Sequence, residues 1–197
     1  MSRFSSSSPV RAGPVEQGEQ ALEPLRDVAP VVAEMVGAMP YPALNSAFDA
    51  LVPAGLQHYW KASFSKELPD EAITAHLEHG PKVPAVNSTV HIYPIDGAAH
   101  RVAPDETAFA YRDATFATVI AGMWPDAAEN DANTKWVRGF YDAIAPFSEA
   151  GGYINFMSND DQARIRANYK GNYDRLVDVK RKYDPDNHFR LNQNIKP

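Results

Sequence analysis

Along this 197-residue chain the spacing of apolar positions changes several times, and each change marks an element. From Val15 to Val36, the residues Leu22, Leu25, Val28, Val32 and Met35 recur every three or four positions, which is one face of a helix. Pro24 and Pro30 divide that stretch into two short helices, because proline removes a backbone donor and crowds the preceding turn. MPYPALNSAFDALVP (39–53) then predicts a loop and a short helix over Leu44, Phe48 and Leu51. The aromatic run HYWKASF (58–64), between Gly55 and Pro69, predicts a strand. Pro69-Asp70-Glu71 opens a helix that Gly80-Pro81 ends.

STVHIYPI (88–95) alternates strictly, with Val90 and Ile92 on one face and Thr89, His91 and Tyr93 on the other. AAHRV (98–102) is expected to return as its hairpin partner across Asp96-Gly97. FATVIAGMW (116–124) is apolar on both sides, the pattern of a central strand. A helix within 126–147 places Trp136, Phe140 and Ile144 on one stripe and stops at Pro146. GGYINFM (151–157) predicts a strand, after which Ser158 and Asp161 have capping-box spacing for another helix. The last helix, about 172–183, offers Tyr173, Leu176, Val179 and Tyr183 to a core. Asp184-Pro185-Asp186-Asn187 has the chemistry of a type I turn. Strands at near-hairpin distance with helices between them predict an α+β fold: an antiparallel sheet with helices packed on one face.

Composition narrows the function classes. The chain is 44% hydrophobic and 11% aromatic, values of a globular protein with a sizeable core. A net charge of −6 argues against nucleic acid as the main partner. The charge is uneven, with nine Lys and Arg against six Asp and Glu over residues 160–197, which is most simply a solvated helix face. Without cysteine there are no disulfides, thiolate metal sites or cysteine nucleophiles. No apolar run reaches the ~20 residues that span a bilayer, and MSRFSSSSPVRAGP lacks the apolar core of a secretory signal. Residues 1–14 are therefore expected to be a disordered leader, and the protein cytoplasmic.

His76 and His79 in HLEHG are spaced to share a metal ion, but no third ligand accompanies them, so a solvated face is the expectation and no metal is assigned. Neither a GxSxG elbow nor the phosphate loops GxGxxG and GxxxxGK[ST] occur. His91 and Tyr93 could line a cleft above the sheet or simply face water. Tyr153 and Asn155 share a face of their expected strand, opposite Ile154 and Phe156. The chain finishes on three carboxamides in a row, Asn192, Gln193 and Asn194.

NYDRLVDVKRKYDPDNHFRLNQNI closely resembles the berberine-bridge-enzyme-like C-terminal segment of FAD-linked oxidases of the vanillyl-alcohol-oxidase type. PYPALNSAFDALVPAGLQHYWKASF, HIYPIDGAAHRV, TAFAYRDATF and GGYINF are similar to substrate-domain segments of bacterial members, in the same order. The resemblance implies a substrate-binding domain over 15–157 and a C-terminal segment over 158–197, whose helix and tail return to a flavin domain. It implies FAD as cofactor, a small organic substrate, and oxidation by hydride transfer to the flavin. By the same resemblance Asn155 is the candidate flavin-facing amide, followed by Asn192, Gln193 and Asn194, and Tyr153 and Tyr93 border the substrate space.

Several relatives place a Tyr or His after that Asn as catalytic base, whereas this chain has Phe156. Tyr59, His91 and Tyr111 are the remaining candidates, and only the imidazole has an ordinary pKa near neutrality. The family's FAD domain is expected to be missing ahead of these segments, so the isolated chain is expected to bind FAD weakly or not at all. A separately encoded flavin domain, or removal of the truncation, would then complete the enzyme, and the exposed seam is expected to favour self-association of the lone chain. The alternative is a non-catalytic orphan domain that binds a small molecule or merely folds.

Overall fold

The stretch that is apolar on both sides, Phe116–Trp124, is strand β3, at the centre of a three-stranded antiparallel sheet of order β1-β3-β2. Its neighbours are β1 (Gln57–Ser65) and β2 (Thr89–Pro94). In register, Trp60 and Thr89 flank Ala121, Ala62 and His91 flank Val119, and Phe64 and Tyr93 flank Ala117. The computed structural model describes residues 7–28, 30–158 and 164–197, and the chain divides into two units, Met1–Pro53 and Ala54–Pro197.

In the first unit, α1 (Val15–Arg26) runs through Pro24, and no second helix forms over residues 30–40. The expected break is corrected because Pro24 falls in the last turn, where little hydrogen-bonded helix remains to be lost. Arg26 at its end pairs with Glu34 and Glu23. The short helix α2 (Tyr41–Asn45) and a 3-10 turn at Asp49–Leu51 follow. No described residue of this unit is buried.

In the second unit one face of the sheet carries helices α3 (Asp70–His79) and α5 (Asn130–Ile144). Ile120 of β3 packs there against Val137, Phe140 and Ile144, with Trp136 and Tyr59 at the margin. A Cβ at Gly122 would lie 2.8 Å from Val137 and 2.9 Å from the Tyr59 carbonyl oxygen, so the missing side chain lets α5 approach the sheet closely. His76 and His79 set their rings against Phe140, at 5.5 and 5.6 Å.

The segment AAHRV does not return as a strand: Ala98–Arg101 is a short helix, α4. β2 takes β3 as its antiparallel partner, and Ala-Ala favours helix. The expected strand over 151–157 is also corrected. Glu149 N donates to Phe64 O at 2.7 Å, after which the chain bends into a 3-10 turn at Ile154–Phe156.

That bend protects the free edge of β1, whose outward backbone groups belong to residues 60, 62 and 64. Trp60 N donates to Ser158 Oγ (3.1 Å), and Ser158 Oγ donates to Trp60 O (3.0 Å). Arg164 Nη2 donates to Ala62 O at 3.2 Å, while Phe64 is met by residues 149 and 151. The expected cap for the next helix pairs Ser158 with Asp161, which lies outside the described residues.

Helix α6 (Ile165–Tyr169) follows, and Lys170 reverses the chain at φ 46° before α7 (Tyr173–Tyr183). The stripe expected to enter a core from α7 stays outside it: the helix buries no residue, and Tyr183 is 73% exposed. Asn187 N donates to Asp184 O at 3.1 Å, closing the turn that DPDN prescribes.

Candidate functional site

On the sheet face away from α3 and α5 the central strand presents small or aliphatic residues, Ala117, Val119 and Ala121, flanked by Trp60, Ala62 and Phe64 of β1 and by Thr89, His91 and Tyr93 of β2. The small side chains Ala62, Val119 and Ala121 leave a shallow trough between Trp60 and Tyr93, and Phe156 packs against it. Its ring lies 6.0 Å from Trp60 of β1 and 6.3 Å from Tyr93 of β2, nearly parallel to the latter. The residue that cannot take a proton thus has a packing role, fixing the 3-10 turn over the sheet.

With Phe156 anchored, the same turn holds Tyr153 and Asn155 at the surface. Tyr153 stands edge-on to Phe156 at 5.1 Å, and Asn155 Nδ2 donates to the Tyr153 hydroxyl at 3.1 Å. Their association comes from the tight turn and not from a shared strand face. His91 stacks on Tyr93 at 5.6 Å with planes 6° apart, and its Nε2 lies 2.8 Å from Thr89 Oγ1. Its surface stays partly open, yet desolvation lowers the imidazole pKa below its usual value and raises that of the Tyr93 phenol. Trp60 Nε1 is buried with no hydrogen-bond partner among the described residues, leaving a donor unused beside this turn.

The tail reaches the same place. Gln193 Nε2 donates to Met157 O at 2.8 Å, one residue beyond the turn. Asn192 adopts a positive φ of 58°, and Asn194 N donates back to Asn192 O at 2.9 Å. The structure therefore brings together His91, Tyr93, Tyr153 and Asn155 on one aromatic surface, with Gln193 at its margin.

Two candidates lie elsewhere. Tyr59 is on the helical side of the sheet, where its hydroxyl accepts from Arg138 Nε at 2.9 Å. Tyr111 is 1% exposed, stacks on Phe64 at 4.7 Å, and donates its hydroxyl proton to Ala167 O at 2.8 Å. Burial raises its pKa, so it is a poor proton acceptor at neutral pH. Two shallow clefts, one beside Arg166 and Arg181 and one beside His100 and Arg112, contain none of the candidates.

Sequence reasoning missed the residues that hold the turn. Buried Asn168 accepts from Gly152 N at 2.9 Å through Oδ1 and donates from Nδ2 to Met157 Sδ, spanning the base of the turn. Asn172, four residues on, donates to the carbonyls of Pro104 and Thr107 at 2.7 and 2.9 Å. Both glycines before Tyr153 are required by close approach. A Cβ at Gly152 would lie 2.3 Å from the Ala62 carbonyl oxygen, and one at Gly151 the same distance from the Tyr111 hydroxyl. The available signals were the Gly-Gly pair and the two asparagines four apart in NYKGN.

Residues 152–196 match the family model described as berberine and berberine-like. Over 192 residues the chain is 34% identical to the uncharacterized FAD-linked oxidoreductase YgaK of Bacillus subtilis, covering 94% of this chain and 41% of that protein. Over 176 residues it is 32% identical to the berberine-bridge-enzyme-like protein C-1 of Nicotiana tabacum, covering 73% of this chain and 30% of the relative. Among solved structures, a berberine-bridge-enzyme-like protein of Arabidopsis thaliana superposes with a TM-score of 0.75 at 22% identity, covering 93% of this chain and 45% of the other. A glycopeptide hexose oxidase complexed with teicoplanin superposes with a TM-score of 0.65 at 26% identity, covering 73% and 33%. The chain spans about two fifths of the length of the FAD-linked oxidoreductase it matches over nearly its whole extent.

Proposed function

We propose that this chain, a berberine-bridge-enzyme-like relative of FAD-linked oxidoreductases, is the substrate-facing and C-terminal portion of an FAD-dependent enzyme that oxidises a small organic molecule. The observation that carries the reading is the meeting of two separate stretches at one edge: the turn bearing Tyr153 and Asn155, and the tail anchored by Gln193 to Met157. Their side chains there are uncharged, and amides can match the donors and acceptors of the flavin's pyrimidine edge without imposing a charge.

The residues present fit the ring of that cofactor: an exposed amide on a fixed turn, a tail amide at its margin, and a buried indole N–H without a partner. They do not supply a phosphate cradle, since neither GxGxxG nor GxxxxGK[ST] occurs. The adenine and pyrophosphate half is assigned to a flavin-binding domain outside these residues, and that domain is the assigned partner.

Bound FAD supplies the hydride acceptor for the oxidation. The chain's own residues bind and orient the substrate on the face made by Tyr93, Tyr153 and Phe156, and exclude water from it. His91 is assigned to take the proton, because it alone among the three candidate bases lies on this face and the lowered pKa leaves it neutral at pH 7.

Co-expression with the FAD-binding portion of a related oxidoreductase tests the reading. A co-purifying yellow complex with a flavin absorption spectrum is expected. Purification of the chain alone, colourless and unassociated with the flavin portion, would overturn it.

A further inference from the structure

The tail that carries Gln193 is not held down by its apolar side chains. Phe189 is 80% exposed and Leu191 is 86% exposed, so neither supplies burial energy to fix residues 188–192. Polar contacts fix them instead, and most converge on one ion pair at the end of α7. Lys180 and Asp184 pair with only 13% and 12% of their side chains exposed. Asp184 accepts from His188 N at 2.6 Å on one oxygen and from Phe189 N at 3.0 Å on the other. Lys180 Nζ donates to Phe189 O at 2.6 Å. Between them the two side chains satisfy both backbone groups of Phe189, as a neighbouring strand would.

We propose that Asp184, charged and paired with Lys180, is a positioning residue: it folds the tail back over the end of α7 so that Gln193 reaches Met157. The link to a cofactor edge rests on the function proposed above, but the latch itself does not. Charge is central to it, because a carboxylate accepting two amides and facing an ammonium group makes charge-assisted bonds that a neutral isostere cannot replace. Lys180 is the only charged side chain among the described residues that bonds to Asp184, and His188 contributes only its backbone amide. These partners hold the carboxyl below its ordinary pKa. A depressed carboxylate pKa stabilises the latch above the unfolded pKa, and that stabilisation is lost as pH falls through the folded value.

Hydrogen exchange of the full chain, measured without flavin, tests this. In Asp184→Asn the amides of residues 188–194 are expected to exchange at least about tenfold faster, the scale of one lost charge-assisted bond, while β3 amides keep the wild-type rate. Lys180→Gln is expected to act in the same direction. In the wild type, the His188 and Phe189 amide resonances are expected to shift together on acidification below the usual aspartate range, a step absent from Asp184→Asn. Unchanged tail exchange in Asp184→Asn, or acceleration equal in tail and β3, would overturn the proposal. If the variants fail to fold, a wild-type titration in which those two amides do not move together overturns it alone. Because no flavin is present, failure of the latch and failure of the cofactor reading are separate results.

Discussion

Gln193 donates its Nε2 proton to the carbonyl oxygen of Met157 across 2.8 Å, joining positions 36 residues apart at the foot of the turn that presents Asn155. A side chain from the tail thereby takes a backbone acceptor next to a 3-10 turn, where regular secondary structure provides no donor.

Gln193→Ala removes that donor. A half-buried, neutral bond of this kind contributes about 0.5–1.5 kcal/mol. Exchange of amides 192–196 is expected to quicken by up to about tenfold, with the urea midpoint of the whole chain nearly unchanged. Hydrogen-exchange mass spectrometry checks it.

Asn168→Ala is expected to cost more. It leaves the Gly152 N–H buried without its acceptor and opens space under Met157, a loss of about 1–3 kcal/mol. Urea denaturation measures the loss, and the Tyr153 and Asn155 resonances are expected to broaden as the base of the turn loosens.

Gly152→Ala places a Cβ 2.3 Å from the Ala62 carbonyl oxygen, a backbone atom that cannot swing aside. Such overpacking typically costs about 1–3 kcal/mol. Because the clash pushes the 149–158 stretch off the edge of β1, exchange of the Trp60 and Phe64 amides is expected to rise in the same variant.

His91 titrates below the ordinary histidine value of about 6.5, because neighbouring rings remove water from its charged form. With the folded pKa depressed, protonation favours the unfolded chain. The stability cost is absent well above the unfolded pKa and grows as pH falls below it. Tyr93→Leu opens the stack and is expected to move the titration back toward 6.5. Proton NMR of the imidazole follows both.

Much of the sheet and its helical cover was legible because burial imposes a period. Phe116–Trp124 is apolar on both faces and lies between two strands, and the α5 stripe of Phe140 and Ile144 meets Ile120. Thr89, His91 and Tyr93 share the face that their alternation predicted. Edges were not legible. Residues 151–157 look like a strand, yet the edge of β1 takes one short backbone pairing and then Ser158 Oγ and Arg164, which leave no periodic trace.

The candidate site was legible in part. Asn155 and Tyr153 do meet, but through a turn, and Tyr111 is drawn into the core by Phe64 and Ala167, contacts far away in sequence. Asn168 escaped notice because its partners, Gly152 and Met157, become neighbours only once Phe156 has seated the turn.

On the function proposed above, the edge shared by Asn155 and the tail receives a flat heterocycle. The most direct test is titration of the 15N-labelled full chain with lumiflavin, the ring system without ribityl phosphate or adenine, followed through side-chain resonances. Saturable shifts of the Asn155 and Gln193 carboxamides and the Trp60 indole, sharing one millimolar-range affinity, are expected. Saturable binding that leaves those three unmoved, or no saturable shift at all, would contradict that reading.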